Sequence, residues 1–323
     1  MSASAALGRE MRRDADEARL PLPTQIVMPG GRSIQFNRAT LLIRLAMAAV
    51  LVGTIFAIWW FAQHGIGAVE IAVLLVMYLV NGLGITVGYH RLFSHQSFRA
   101  RPFCRAMLGV LGATAMQGPI LYWVSIHRKH HRYADSIEDP HTPRPRGNSR
   151  FARLAGINHG FIGWMFDGSF CLYPDYVREL RRDPIVCWVD RHYFLWVAAG
   201  ILLPGLAGWA WYGTFEGYLG CMLAGGPLRL FCHLSATGLV NSVGHAVGRQ
   251  PISTLDNSRN NPLLNAIIMV GEGLHNNHHA IPRSASFSLR PGEVDIGYVF
   301  IRLLQAIGWI DEVQLAVKTD RAR

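Results

Sequence analysis

The chain has 323 residues, of which 50% are hydrophobic and only 16% are charged. Soluble globular domains carry about 25% charged residues, so this composition excludes an ordinary soluble enzyme and a disordered chain. The formal net charge of +10 is compatible with nucleic-acid binding or with membrane topology, and the positions of the basic residues decide between them.

The first segment, residues 1–38, is polar and contains three prolines and a Gly-Gly pair. This composition predicts a flexible tail. We assign residues 39–323 to a single membrane domain.

Four apolar stretches are long enough to cross a bilayer, which takes about 20 residues of helix. They cover residues 39–62, 67–88, 193–211 and 215–240. Only a few residues join the first stretch to the second and the third to the fourth, so we predict two membrane hairpins. A further apolar stretch, 103–122, is interrupted by Arg105, Gln117 and Pro119, and we expect it to lie at the membrane interface.

The basic residues avoid both hairpin turns and concentrate in 1–38, in 89–192 and after residue 240. Because loops rich in Lys and Arg stay in the cytoplasm, we predict cytoplasmic termini and a cytoplasmic helical cap made of 89–192 and 241–323. The positive charge then marks topology and contact with anionic membrane lipid, not nucleic acid. An excess of Arg over Lys favours a bacterial cytoplasmic membrane.

Nine of the 14 histidines fall into four groups on the predicted cytoplasmic side. The groups are His90 and His95; His127, His130 and His131; His245; and His275, His278 and His279. Residues three and four apart share a helix face, so each triplet can point one way. His90 and His95 are five apart, about 140° around an α-helix, so we expect the helix to end between them.

Neutral imidazole is a good ligand for iron, zinc, copper and nickel. Nine ligands are too many for one ion but suit two. An all-histidine pair of redox metals at a membrane surface suits activation of O2. Hydrogen-bonded or solvated side chains are the expectation for the other five histidines, which are His64, His141, His159, His192 and His233.

At these histidines the chain resembles the membrane fatty-acyl desaturase family, and within it the stearoyl-CoA (delta-9) type in a bacterial-like form. The resemblance covers about residues 74–311. The motifs that carry it are GITVGYHRLFSH at 84–95, HRKHH at 127–131, EDPH at 138–141, NSVGH at 241–245, DNSRNN at 256–261 and GEGLHNNHH at 271–279. It implies an all-α integral membrane protein with four transmembrane helices and a cytoplasmic cap that holds a di-iron histidine site.

The resemblance also implies how two Fe2+ ions are bound. One would take His90, His95, His127, His131 and His279; the other would take His130, His245, His275 and His278, with Asn241 holding a water. Tyr78 and Gly82 would line the tail end of an acyl tunnel, and Trp123 would lie beside the chain. Ordinary packing in a membrane helix, or an interfacial position for Trp123, is the competing interpretation of these three residues.

Carboxylates commonly orient metal-bound imidazoles. The candidates are Asp135, Glu138, Asp139 and Glu272, each of which could equally be a solvated charge. Animal relatives hold CoA with an Arg-Asp pair where this chain has Ser125 and Ile126, and Gly238 stands in place of a family Trp. These departures leave the head group of the substrate and the position of the double bond open.

The function implied is desaturation of a fatty acyl chain, carried as acyl-CoA or acyl-lipid, with O2 and external electrons. No haem or iron–sulfur motif occurs in the sequence, so we expect a separate donor protein of the ferredoxin, rubredoxin or reductase type. Arg128, Lys129 and Arg132 are candidates for steering an acidic donor. The alternatives are a related membrane di-iron hydroxylase and a histidine-rich metal transporter; the motif forms and the lack of an internal repeat count against them.

Overall fold

The computed structural model describes residues 25–27, 33–143, 149–268 and 270–316. These residues are mostly helical. The helices are α1 Phe36–His64, α2 Ala68–Leu83, α3 Pro102–Ala113, α4 Ile120–Tyr133, α5 Arg150–Phe161, α6 Pro184–Arg191, α7 Tyr193–Leu202, α8 Pro204–Tyr212, α9 Phe215–Leu223, α10 Arg229–Val243, α11 Pro262–Ile268, α12 His275–Ala280 and α13 Ile296–Ala306. A π-helical segment, Gly84–Ser94, continues α2, and a second, Ala224–Leu228, joins α9 to α10.

Three helical stretches within the described ranges are long and apolar enough to cross a membrane: Leu41–His64, Ala68–Ser94 and Tyr193–Tyr212. The second extends beyond the predicted end at residue 88, so it carries His90 inside the helix. The predicted fourth span is helical from Phe215 to Val243 but is not among the three. It contains a Gly-Gly-Pro sequence and Arg229, residues that weaken its apolar character.

Buried or partly buried polar side chains connect these helices at two places. At one end, Glu70 Oε2 accepts hydrogen bonds from the backbone N–H of Gly67 at 3.1 Å and from the Tyr212 hydroxyl at 3.0 Å. In the interior, the buried Arg229 donates to the carbonyls of Gly200 at 2.6 Å and Thr114 at 2.8 Å, and to the side chain of Asn81. A buried guanidinium is tolerated where its donors are satisfied in this way.

The described residues are mostly helical, as predicted, and contain in addition two small antiparallel sheets. Strand β1, Gln25–Val27, pairs with β2, Ser33–Gln35, within the segment expected to be a flexible tail. Residues 1–24 of that tail lie outside the described part of the chain. Strand β3, Arg99–Ala100, pairs with β4, Ile310–Asp311, which fixes the end of the cap against its beginning.

The largest apolar core lies where the Gly84–Ser94 segment packs against α3, α4 and α6, around Tyr89, Phe93 and Leu108. Helix α3 has only 12 residues, about 18 Å of helix, and is too short to cross the roughly 30 Å hydrocarbon layer. Helix α4 begins after Pro119, and the carboxylate of Asp190 accepts the backbone N–H groups of Ile120 at 2.7 Å and Leu121 at 3.1 Å. These two hydrogen bonds to Asp190 fix the start of the helix that carries three of the histidines.

Candidate metal centre

Of the first pair of histidines, His90 lies within the π-helical segment Gly84–Ser94 and His95 is the residue that caps its end. The backbone N–H of His95 donates to the carbonyl of His90 at 3.1 Å, five residues back, as in a π-helix. The helix ends at Ser94, between the two histidines as expected, and its last turn is a wide π-turn. This turn brings the two imidazole rings to a centroid separation of 5.0 Å.

The two HxxHH triplets lie on α4 and α12, and each points in two directions. Neighbouring residues on a helix diverge by about 100°, whereas residues four apart nearly coincide. In each triplet the first and last histidines therefore face one centre, and the fourth residue of the motif faces the other.

The nine imidazoles accordingly form two groups in which each residue offers one nitrogen within 4.8 Å of the others. The first group is His90, His95, His127, His131 and His278; the second is His130, His245, His275 and His279. This corrects the division taken from the resemblance, which exchanged His278 and His279. The Nε2 atom of His278 lies 2.9 Å from that of His90 and 2.8 Å from that of His131, while His279 faces His130 at 3.3 Å.

The donor set fits two metal ions. Four Nδ1 atoms face carboxylates: His90 faces Glu272 at 2.9 Å, His130 faces Asp139 at 3.0 Å, His245 faces Asp135 at 3.2 Å and His279 faces Asp256 at 2.8 Å. A carboxylate that accepts a hydrogen bond from Nδ1 keeps the proton on that nitrogen, so Nε2 carries an unshared electron pair. Lone pairs facing each other at about 3 Å repel unless a cation lies between them, so the geometry calls for a cation in each group.

The protonation states agree with this role. Burial lowers the pKa of His95, His127 and His131, and likewise that of His275, His278 and His279, well below the ordinary value for histidine. These imidazoles are neutral at neutral pH, which is the form that binds metal. Burial also opposes ionisation of Asp139 and Glu272, but the facing imidazoles outweigh it and lower the pKa of both carboxyls.

Among the predicted carboxylates, Asp135, Asp139 and Glu272 each contact a histidine of the two groups. Glu138 does not: its Oε2 accepts a hydrogen bond from the Ser136 hydroxyl at 3.0 Å. Sequence reasoning missed Asp256, although it lies in the DNSRNN motif. That residue precedes His279 by 23 positions in an irregular segment, so spacing gave no signal for the contact.

A bent cavity meets the histidines. Two adjoining cavities form it: a large one of about 360 Å³, which we call the large limb, and a small one of about 50 Å³, which we call the small limb. Five residues line both limbs and mark the bend: Trp123, His127, His141, Thr237 and Asn241. The indole of Trp123 stacks on His127 with centroids 4.8 Å apart, and its N–H donates to Gln117 at 3.0 Å. Gln117 in turn donates to Thr237 at 2.7 Å.

The small limb lies beside the metal groups, with His90, His130 and His275 in its lining. It is also lined by Gly82, Val270 and His233. A Cβ atom at Gly82 would lie 3.0 Å from Val270 Cγ1, so Val270 occupies the space that the small residue leaves. Tyr78 packs edge-on against His233 with centroids 5.5 Å apart.

Two of the basic residues proposed to attract a donor are engaged in intramolecular contacts. The guanidinium of Arg128 donates to the carbonyls of Phe93 and Ser94, both at 2.9 Å, and pairs with Glu179. It thereby holds the end of the segment that carries His95. The ammonium of Lys129 lies 4.0 Å from the ring centre of Tyr173.

Of the five remaining histidines, His141 lies closest to the metal groups. It is buried, its ring centroid is 4.2 Å from that of His130, and burial lowers its pKa to about 3. With His130 and Asp139 it forms a further set whose donor atoms lie within 4.8 Å of one another. The other four make hydrogen-bond contacts elsewhere: His64 with the Trp60 carbonyl, His159 with Asp167, His192 with the Trp188 carbonyl and His233 with Gln117.

Comparison with known proteins places these motifs in context. The family model for fatty acid desaturases matches residues 68–292. The chain is 36% identical over 269 residues to a hex-5-enoyl-[acyl-carrier protein] acetylenase of Moorena producens (strain JHB), covering 82% of this chain and 83% of the relative. It is 32% identical over 273 residues to an sn-1 stearoyl-lipid 9-desaturase of Anabaena variabilis, covering 83% and 91%. A probable acyl-CoA desaturase of Schizosaccharomyces pombe is 34% identical over 238 residues, covering 72% and 47%.

Proposed function

The chain belongs to the fatty acid desaturase family, and from that premise we propose that it inserts a cis double bond at the delta-9 position of a saturated fatty acyl chain. In the balanced reaction, –CH2–CH2– and O2 react with two electrons and two protons to give –CH=CH– and two molecules of water. The observation that carries the proposal is the meeting of both histidine groups with the bend of an apolar cavity.

We assign two Fe2+ ions to the two histidine groups, with Asn241 holding a water at the second. Reduced iron supplies the chemistry that activates O2, which unactivated C–H bonds require. The protein supplies binding and orientation. The Trp123–Gln117–Thr237 hydrogen-bond chain supports a fixed bend in the cavity, so that one methylene pair of a bound chain lies beside the imidazoles.

The proposed architecture keeps four membrane spans, with Phe215–Val243 as the fourth. The buried Arg229 supports this assignment, because its guanidinium reaches the carbonyls of helices that would neighbour it in the bilayer. Basic residues on the cap side support a cytoplasmic site in a bacterial cytoplasmic membrane. A separate ferredoxin-, rubredoxin- or reductase-type protein would supply the electrons, and Arg128, Lys129 and Arg132 are the candidates for attracting it.

Expression in a host membrane, followed by fatty-acid profiling, tests the proposal. Wild type should produce a new monounsaturated acid, and His278→Ala should abolish it while the protein still accumulates. Fragmentation of derivatised products gives the position of the double bond. Absence of any new acid from iron-loaded wild type with a competent donor would contradict the proposal.

A second candidate follows from one relative, which is an acetylenase. An enzyme of that kind removes two further hydrogens from an existing double bond and leaves a triple bond. The same profiling, with a monounsaturated acid supplied, distinguishes the two reactions. A hydroxylated product without an alkene would instead identify a di-iron hydroxylase.

A further inference from the structure

The large limb of the cavity lies between α1 and α10. Next to it, α1 packs closely against the π-helical segment that precedes α10: a Cβ atom at Gly53 would lie 2.9 Å from Pro227 Cβ, and the Thr54 hydroxyl donates to the Pro227 carbonyl at 3.1 Å. On the cap side of this contact the cavity fills the gap between the helices. Met47, Ala48 and Leu51 line it from α1, and Phe231 and Leu234 line it from α10.

This gap, which we call the lateral cleft, opens sideways. Leu51 is 50% exposed and Phe231 is 42% exposed, although both line the same cavity as His127 and Asn241. Both lie within helices assigned to the membrane, so the surface they expose would meet lipid chains. An apolar chain could therefore pass from the bilayer to the histidines without crossing water.

The cap covers the other approach to the cavity. Three aromatic residues line the cavity from that side: Phe161, the last residue of α5, and Trp164 and Phe170 in the segment after it. Trp164 is buried, and its ring packs against Phe170 at a centroid separation of 5.7 Å. These aromatic side chains cover the cavity on the cap side, whereas Leu51 and Phe231, which line it on the bilayer side, are exposed.

One cation lies near the mouth of the lateral cleft. Arg44 is exposed and precedes Leu51 by seven residues, about 10 Å along the helix toward the cap. Its guanidinium lies 5.9 Å from the ring centre of Phe166, the neighbour of the cavity residue Met165. Arginine near the end of a membrane helix extends its head group to the interface, and guanidinium binds phosphate well.

We propose that the lateral cleft admits the acyl chain of a membrane glycerophospholipid and that Arg44 binds its phosphate. The inference rests on the proposed function and deepens it by naming the carrier of the chain. The chain stays in an apolar phase from bilayer to active site, and the phosphate stays at the interface beside a cation. A water-soluble thioester would have no need of an opening toward lipid.

Two adjacent alanines of α1 allow a matched test. Ala48 lines the cleft, whereas Ala49 is equally exposed and does not. Full-length, iron-loaded enzyme is reconstituted in diphytanoylphosphatidylcholine bilayers with distearoylphosphatidylglycerol or, in a parallel arm, stearoyl-CoA, and with reduced ferredoxin. We expect Ala48→Trp to lower turnover of the phospholipid at least about tenfold, as blocking of a pocket of this kind does, and Ala49→Trp to leave it unchanged.

Arg44 is tested separately. Arg44→Gln should raise KM for the phospholipid and leave kcat unchanged, and Arg44→Lys should largely restore KM. Arg101, which is exposed and does not line the cleft, serves as the control as Arg101→Gln. An unchanged KM in Arg44→Gln would overturn the assignment of the phosphate.

A labelling experiment gives a readout that needs no turnover. Distearoylphosphatidylglycerol with a mid-chain diazirine should label peptides containing Leu51 or Phe231, and Ala48→Trp should suppress that labelling. Conversion of stearoyl-CoA but not of phospholipid, or labelling that avoids both helices, would overturn the lateral-cleft inference and leave desaturation standing. Conversion of neither substrate would overturn the proposed function, and the labelling would still decide whether lipid enters the cleft.

Discussion

The Nε2 atoms of His90 and His278 lie 2.9 Å apart, although 188 residues separate the two side chains in the sequence. His278 thus joins the group formed by the Gly84–Ser94 segment and α4, and the adjacent His279 joins the group with His245 and His275. Both α4 and α12 therefore contribute to both groups. Loss of one neighbouring histidine should disturb a different centre from loss of the other.

We expect His278→Ala and His279→Ala to deplete different iron ions. Each variant removes one ligand from one group and leaves the other group complete, so each should lose mainly one of the two ions. Iron content and Mössbauer spectra of the purified variants check this, because the ion retained should differ between them. Identical residual spectra in the two variants would contradict the division.

The Asp256→Asn variant should weaken metal binding. Its carboxylate accepts from His279 Nδ1 at 2.8 Å, and loss of such a partner costs about 10- to 100-fold in metal affinity. Glu138→Gln is the matched control, because Glu138 contacts Ser136 and none of the nine histidines in the described structure. Competition with a chelator measures both. Equal metal affinity in the two variants would show that Asp256 does not support metal binding.

Much of the site follows from residue spacing, but its assembly does not. The i, i+3 and i+4 spacings predicted that each triplet shares one helix face, but not that the fourth residue of each motif faces the other metal group. The wide π-turn that precedes His95 could not be predicted, because the same sequence of apolar residues fits an α-helix or a π-helix. Contacts such as Asp256 with His279 and Val270 with Gly82 depend on how irregular segments fold back, which no local periodicity encodes.

The buried Asp190, which accepts hydrogen bonds at the start of α4, should make the free energy of unfolding depend on pH. Burial raises the pKa of Asp190 to about 7, against the lowering effect of the two backbone N–H groups it accepts. Because its pKa in the unfolded chain is near 3.8, the folded state holds an extra proton between the two pKa values. The resulting stabilisation is lost progressively as pH rises from 3.8 to about 7. A difference of this size corresponds to at most about 4 kcal/mol.

Asp190→Asn isolates this contribution. The amide cannot ionise and keeps only one acceptor, so the variant should carry a constant cost of about 1 kcal/mol for the weakened cap. Thermal unfolding of the iron-loaded protein in detergent between about pH 5 and pH 8 is the measurement, because the difference in bound protons exists below the folded-state pKa. The advantage of wild type over the variant should shrink as pH rises. Parallel curves over that range would show that Asp190 does not titrate there.

The contact between Gly82 and Val270 in the small limb predicts control over chain length. Val270 fills the space beside Gly82, so Val270→Ala should extend the limb and shift products toward acyl chains with more carbons on the methyl side of the double bond. One methylene in an apolar pocket is worth about 1–3 kcal/mol, which gives roughly a tenfold change in preference. The ratio of 16- to 18-carbon products from mixed substrates measures the shift.

Leu264→Ala controls for loss of packing in the same apolar cluster, since Leu264 is buried there but does not line the limb. Both variants should lose stability, and only Val270→Ala should change the product ratio. Gly82→Ala should act in the opposite direction, because its methyl group would reach into the limb and against Val270. Combined with Val270→Ala it should return the ratio toward wild type, since the added methyl replaces volume that the valine lost. A ratio that stays constant across all four variants would mean that the small limb does not hold the methyl end of the chain.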